Sequence, residues 1–140
     1  MSAAELTGAR QQSIREALEK VPFAALLGIK IGKLEPGAAT LYLEIRDELK
    51  QNNGLLHGGV TASLVDTAAA FAILTVLEPG QTTTTIDLTI HYLRPLTAGR
   101  ASATARVVRS GRRLIILTID VLDNDGNLAA TALTSFMRLA

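Results

Sequence analysis

The chain has 140 residues, 48% of them hydrophobic, with 14 Lys plus Arg against 13 Asp plus Glu and no cysteine. That length and apolar content predict one domain over residues 1–140, a helical segment at 1–22 leading into a core at 23–138. Balanced charge without a basic block excludes a general nucleic-acid surface, and the missing cysteines exclude disulfides, thiolate metal sites and a cysteine nucleophile. The first ten residues lack the basic patch and apolar run of a secretory signal, so a cytoplasmic setting is expected.

Leu6, Ile14, Ala17 and Leu18 recur at roughly helical spacing among charges, which predicts a short amphipathic helix over residues 5–20, closed by Pro22. Residues 28–34 and 38–46 read as a hairpin turning at Glu35-Pro36-Gly37, with Ala39, Leu41, Leu43 and Ile45 on one face. After a polar stretch containing Asn52-Asn53-Gly54, His57-Gly58-Gly59 opens a long apolar segment that ends near Leu77, before Pro79-Gly80. This segment is apolar nearly all round and is expected as a helix enclosed by other elements. Asp66, together with Thr61, Ser63 and Thr67, argues against a membrane span. The period then changes to two: Ile86, Leu88, Ile90 and Tyr92 alternate with Thr85, Asp87, Thr89 and His91, giving a strand with one covered face. Strands over 100–109, 112–123 and 128–139 follow, parted by Ser110-Gly111 and Asn124-Asp125-Gly126-Asn127. Helix, two strands, helix and four strands, without repeat or linker, predict an α+β fold with an antiparallel sheet wrapped around one buried helix.

The residues that carry chemistry lie between Gln51 and Asp66. Backbone amides at Gly58 and Gly59 would start the central helix, unpaired within it and at the positive end of its dipole, ready to receive a developing oxyanion. Glycine there also allows close approach of a ligand. Asp66 is the only charge between His57 and Glu78. A carboxylate inside an apolar helix is costly unless partners or a wet cavity receive it, which marks Asp66 as a candidate nucleophile or general base. The plainer alternative is a packing carboxylate that takes hydrogen bonds from neighbours such as Thr67. Eight positions separate Gly58 from Asp66, about 12 Å along one helix. One acyl carbon cannot touch both, so a shared reaction requires Asp66 to meet the Gly58 amide of a second copy across a two-fold axis.

His57-Gly58-Gly59, then Ala62-Ser63-Leu64-Val65-Asp66-Thr67-Ala68, then Tyr92-Leu93-Arg94-Pro95 together resemble the hotdog thioesterases of the phenylacetate-degradation type, over roughly residues 23–137. The resemblance implies a hotdog fold and homodimers, often paired into homotetramers, with active sites at the subunit interface. It further implies hydrolysis of acyl-CoA, aryl or medium-chain, without metal or bound cofactor. Asp66 would be nucleophile or general base, the Gly58 amide would polarise the thioester carbonyl, and His57 would hold the glycine turn and the thioester end. One departure stands out: the phenylacetate branch usually has asparagine six residues before the histidine, where this chain has Gln51. Glutamine there resembles the hydroxybenzoyl-CoA branch, which usually carries glutamate at the Asp66 position and Thr or Ser where this chain has Ala70. Gln51 is expected to orient water or contact the thioester, with Asn52 and Asn53 competing for the role.

Thr85 matches a position where the family sometimes sets a hydroxyl near the water, and its parity points it away from Ile86 and Leu88; the alternative is an ordinary strand threonine. Arg106, Arg109, Arg112 and Arg113 surround the Ser110-Gly111 turn and suit either CoA phosphates or a solvated hairpin end. Tyr92 and Phe71 are candidates for an acyl pocket or for core. Contacts with substrate are accordingly expected from Gly59, Asn53, Thr67, Thr85, Arg109 and Arg112. No Gly-x-Ser-x-Gly elbow or phosphate loop is present. Asp123, Asp125 and Asn127 imitate a calcium loop, but Leu128 and Thr134 stand where its glycine and last glutamate belong. His57 and His91 alone cannot fill a usual zinc set. Two other functions stay open: a thioester borne by an acyl carrier protein, whose acidic surface would meet the arginines, and acyl-CoA binding without turnover.

Overall fold

The computed structural model describes residues 5–139. Thr7 caps the first helix, α1 (Gly8–Glu19), by accepting the Arg10 N–H at 3.1 Å. Pro22 begins a second short helix, α2 (Pro22–Leu27), instead of merely closing the first; in the opening turn its missing N–H has no helical partner to lose. Gly28, at φ +76°, ends α2 in the left-handed conformation that glycine adopts without strain. Arg46 donates to the carbonyls of Leu26 and Leu27 at 2.7 and 3.0 Å, so the last turn of α2 is held by a cation.

The expected hairpin forms from β1 (Lys30–Glu35) and β2 (Ala38–Glu44). The central helix α3 (Gly58–Leu74) follows, then β3 (Thr82–Tyr92), β4 (Arg100–Ser110), β5 (Leu114–Leu122) and β6 (Leu128–Leu139). All six strands join one antiparallel sheet in the order β1-β2-β4-β5-β6-β3, leaving β1 and β3 as edges. The sheet curls around α3 in the hotdog arrangement, with α3 packed chiefly on β2 and β4. Small residues permit that approach: Ala101, Ala103 and Ala105 on β4 are fully buried, as are Ala68, Ala69 and Ala72 on α3. Leu41, Leu43, Ile115, Leu117 and Ile119 fill the rest of the interior.

Two expectations are corrected. The helix is covered on one side only: Ala62, Ser63, Asp66, Thr67 and Ala70 form a half-exposed stripe of α3, because a single sheet can cover only the side it faces. The anticipated covered face of β3 is likewise incomplete, with Ile86 and Tyr92 about half exposed. A bulge at Ile86 also breaks the alternation, since Thr85 pairs with Phe136 and Asp87 with Ser135. Among the described residues no helix is long and apolar enough to cross a membrane, and no group of three His, Cys, Asp or Glu gathers as metal ligands. Asp123 folds the β5–β6 turn by accepting the Asp125 and Asn127 N–H groups, each at 2.9 Å. The hydrogen bond from the Asn127 backbone, foremost, holds the Asp123 carboxyl below the usual carboxylate range.

The C-terminal end of α3 is fixed by polar contacts. The buried Thr75 hydroxyl donates to Ala72 O at 2.6 Å and accepts the Gly37 N–H at 2.8 Å, joining the helix to the β1–β2 turn. Arg10 donates to the carbonyls of Leu74 and Leu77. Thr75→Val preserves shape but strands the Gly37 N–H and is expected to lower the unfolding free energy by about 1–2 kcal/mol in a urea titration, with the far-UV spectrum unchanged.

Candidate active site

The chain enters α3 through a tightly bonded loop. Gln51 N–H donates to Leu55 O at 2.8 Å, Leu56 N–H to Leu96 O at 2.8 Å, and His57 N–H to Leu49 O at 2.9 Å. His57 is thereby held as the N-cap of α3, where its Nδ1 accepts the Gly59 N–H at 2.9 Å. Nδ1 is the acceptor nitrogen, so the ring hydrogen sits on Nε2. His57 O takes the N–H groups of Val60 and Thr61 at 2.9 and 3.3 Å. Of the first-turn amides, only that of Gly58 lacks a protein acceptor among the described residues. It stands at the positive end of the helix dipole, where an oxyanion is stabilised.

Both glycines are required by close neighbours. The Tyr92 hydroxyl donates to Gly58 O at 2.7 Å, and a Cβ on Gly58 would lie 3.3 Å from the Tyr92 ring. A Cβ on Gly59 would meet His57 Nδ1 at 3.0 Å and push the cap open. Gly58 lines a cavity of about 470 Å³ together with Gln51, Thr61, Tyr92, Arg94 and Leu96. The Gln51 carbonyl oxygen accepts the Asn53 N–H, which leaves its NH2 as the free donor group. Asn52 and Asn53 are exposed on the turn and do not line this cavity.

Two turns along α3, half-buried Asp66 accepts the Thr85 hydroxyl on Oδ1 at 2.8 Å. That contact corrects the expected orientation of Thr85. Strict alternation would turn Thr85 away from Leu88, but the extra residue Ile86 shifts the parity, so that Thr85 shares the helix-facing side with Leu88, Ile90 and Tyr92. Thr67 is not a partner of Asp66: its hydroxyl donates to Ser63 O at 2.7 Å, the ordinary back-bond of a helical threonine. Oδ2 of Asp66 has no hydrogen-bond partner among the described residues.

Arg106, Arg109, Arg112 and Arg113 are all exposed and form no ion pair among the described residues. Leu114 pairs with Met137, and Met137 with Thr84, so the arginine hairpin lies near the Thr84 end of β3. Tyr92 and Gly58 lie at the opposite end, about 27 Å away at 3.4 Å per residue. One chain therefore does not bring Arg109 or Arg112 to its own Gly58. Phe71 is core, at 5% exposure. Sequence reasoning offers Tyr92 as a strand residue and a candidate for an acyl pocket or for core, but not its bond to Gly58.

The family model for the thioesterase superfamily matches residues 53–130. The chain belongs to the thioesterase superfamily. Human acyl-coenzyme A thioesterase 13 is 30% identical over 116 residues, covering 79% of this chain and 82% of that protein. Among solved structures, the E. coli PaaI protein from the phenylacetic acid degradation operon is 26% identical, with a TM-score of 0.88 and 97% of each chain covered. A thioesterase family protein from Silicibacter pomeroyi is 28% identical, with a TM-score of 0.87, covering 93% of this chain and 98% of that one.

Within this thioesterase the matched segment begins on the Asn53 turn and spans α3 and β3, so it includes the free Gly58 amide and the Thr85–Asp66 pair. The capping geometry is open to a stability test. Gly59→Ala and His57→Ala are each expected to cost about 1 kcal/mol. Because both remove the same Nδ1 contact, the double variant should lose no more than the larger single loss, as measured by urea titration.

Proposed function

We propose that this thioesterase hydrolyses aryl- or medium-chain acyl-CoA to free acid and CoA in a homodimer whose active sites combine residues of both chains. The observation that carries the reading is the pairing of a free Gly58 amide at the start of α3 with a Thr85-held Asp66 carboxylate two turns further on. The amide receives the carbonyl oxygen as it gains charge, and the carboxylate acts on the carbonyl carbon, either through water or directly as nucleophile. With water, Asp66 takes its proton, the water oxygen bonds to the acyl carbon, the C–S bond breaks, and the CoA sulfur leaves with the proton. By the direct route an Asp66 oxygen bonds to the acyl carbon and expels CoA as thiolate, and water then cleaves the acyl–Asp66 anhydride to free acid and the Asp66 carboxylate, its proton passing to the thiolate. The Gln51 NH2, free in the Gly58 cavity, supplies a hydrogen bond to the thioester or the water.

Edge strand β3 supports the dimer. It is eleven residues long, and beyond its pairing with β6 its other side is open. Antiparallel pairing of two β3 strands about Thr89 matches Leu88 with Ile90 on the helix side and Asp87 with His91 on the outer side. The bulge then brings Thr85 of one chain opposite Tyr92 of the other, and with them Asp66 toward the Gly58 amide. The same two-fold carries one chain's Arg109 and Arg112 toward the other's site, where they meet CoA phosphates.

Hybrid dimers test the scheme. Asp66→Asn is expected to lower thiol release from acyl-CoA by at least ~100-fold. Gly58→Pro deletes the amide in the first turn, where the backbone suits proline, and is expected to cost ~100- to 1000-fold in kcat beyond Gly58→Ala, which presses on Tyr92 in the same way but keeps the N–H. Mixed dimers of Asp66→Asn and Gly58→Pro contain one intact site, so once separated from the parental dimers they should show close to half of the wild-type activity per dimer. No recovery would exclude a shared site. Oxygen-18 on Asp66 after a single turnover would assign it as nucleophile, and preference for carrier-linked over free-CoA esters would move the substrate to an acyl carrier protein.

A further inference from the structure

The start of α3 is flanked by two cavities of similar size and different chemistry. The first has largely apolar walls, Leu55, Leu56 and Leu96 among them, but carries the free Gln51 NH2 and Arg94 beside Gly58. The second, also about 470 Å³, is walled by Phe23, Leu26, Leu27, Leu49 and Val60, with His57 and Gly59 at the helix start. Ser63 joins this wall with its hydroxyl already donating to Gly59 O at 2.8 Å, and the His57 Nε2–H is the free donor that remains in the lining. Arg46 and Glu48, paired at 3.5 Å, complete the lining.

The wall from α2 is rigid and uncovered. Phe23 and Leu26 are one turn apart and 52% and 67% exposed, Leu26 being the most exposed of the large hydrophobics among the described residues. Pro22 in the first turn, left-handed Gly28 and the two Arg46 hydrogen bonds fix the helix that carries them. Paired apolar side chains held open beside a reactive amide form a preorganised binding surface.

We infer that this α2 groove is the acyl subsite and takes an unsubstituted hydrocarbon chain, while the pantetheine arm occupies the Gln51–Arg94 cavity. The inference rests on the acyl-CoA reading above and adds to it the place of the acyl group and its freedom from polar substituents. A thioester carbonyl at the Gly58 amide has the α2 groove on the Gly59 side and the cavity that carries Gln51 and Arg94 on the other. An amide-rich arm and a hydrocarbon chain partition accordingly, because the arm's amides find Arg94 and the free Gln51 NH2 in the first cavity, whereas Arg46, Glu48 and Ser63 of the α2 groove are already engaged.

The test uses S-alkyl-CoA thioethers, which bind without turnover, from ethyl to decyl, titrated calorimetrically into wild type and into the double variant Phe23→Ser with Leu26→Ser. Wild-type affinity should rise roughly fourfold per methylene until the groove is filled. The decyl-to-ethyl affinity ratio should fall at least ~10-fold in the variant, given the apolar area removed. An equal ratio in both proteins, or wild-type affinity that ignores chain length, overturns the inference. So does a variant that changes oligomeric size in sedimentation with its ratio unchanged, since a second copy would then be what covers α2. Thiol release from octanoyl-CoA by wild type, run in parallel, reports on the acyl-CoA hydrolase reading separately from the subsite.

Discussion

Everything in this molecule depends on how closely α3 lies to the sheet. Alanines face that junction from both sides, Ala68, Ala69 and Ala72 from the helix and Ala101, Ala103 and Ala105 from β4. Dense packing at short range makes the helix a fixed rod, tied at its C-terminal end by Thr75 and Arg10 and at its start by His57. A rod so constrained can present an unpaired amide and a half-buried carboxylate at reproducible positions. Loops of equal length would not hold either group to the tolerance that chemistry at an acyl carbon demands.

The same packing explains what α3 leaves undone. One sheet covers the large buried residues Leu64, Val65, Phe71 and Ile73, yet Ala62, Ser63, Asp66 and Ala70 stay half exposed. The free stripe interleaves Ala62 and Ala70 with the polar Ser63, Asp66 and Thr67, so it carries the carboxylate at a surface instead of burying it in the core. Fold and candidate site thus meet in one element: the side that builds the core fixes the side that carries the proposed chemistry.

Much of this was legible in the sequence because the signals were local. The one-face run of β2, the period-two run of β3, the glycine and asparagine turns, and the histidine–glycine–glycine step each rest on a few adjacent residues. The lone carboxylate in an apolar helix marked Asp66, and the positive end of the helix marked Gly58. What stayed hidden depends on partners distant in the chain. Nothing in Thr85-Ile86-Asp87 announces an unpaired residue; that follows from how β6 runs alongside. Helix α2 was concealed because Pro22 reads equally as a stop and as a first-turn residue, and the Arg46 carbonyl contacts that select the second reading come from 20 residues away. Tyr92 has no local mark of its bond to Gly58, 34 positions earlier.

The bulge at Ile86 makes strand length a chemical variable. In a pleated strand, adding or removing one residue is equivalent to turning every side chain beyond it through half a revolution. Thr85 reaches Asp66 only because the count between it and Leu88 is one greater than the ladder of β6 requires. A relative with the same residue types and no bulge would present a different side chain to the carboxylate, so alignment by identity alone would assign the wrong position. In this scaffold the partner of the acid is specified by counting, and a single-residue insertion or deletion near residue 86 could retune the site more than most substitutions within it.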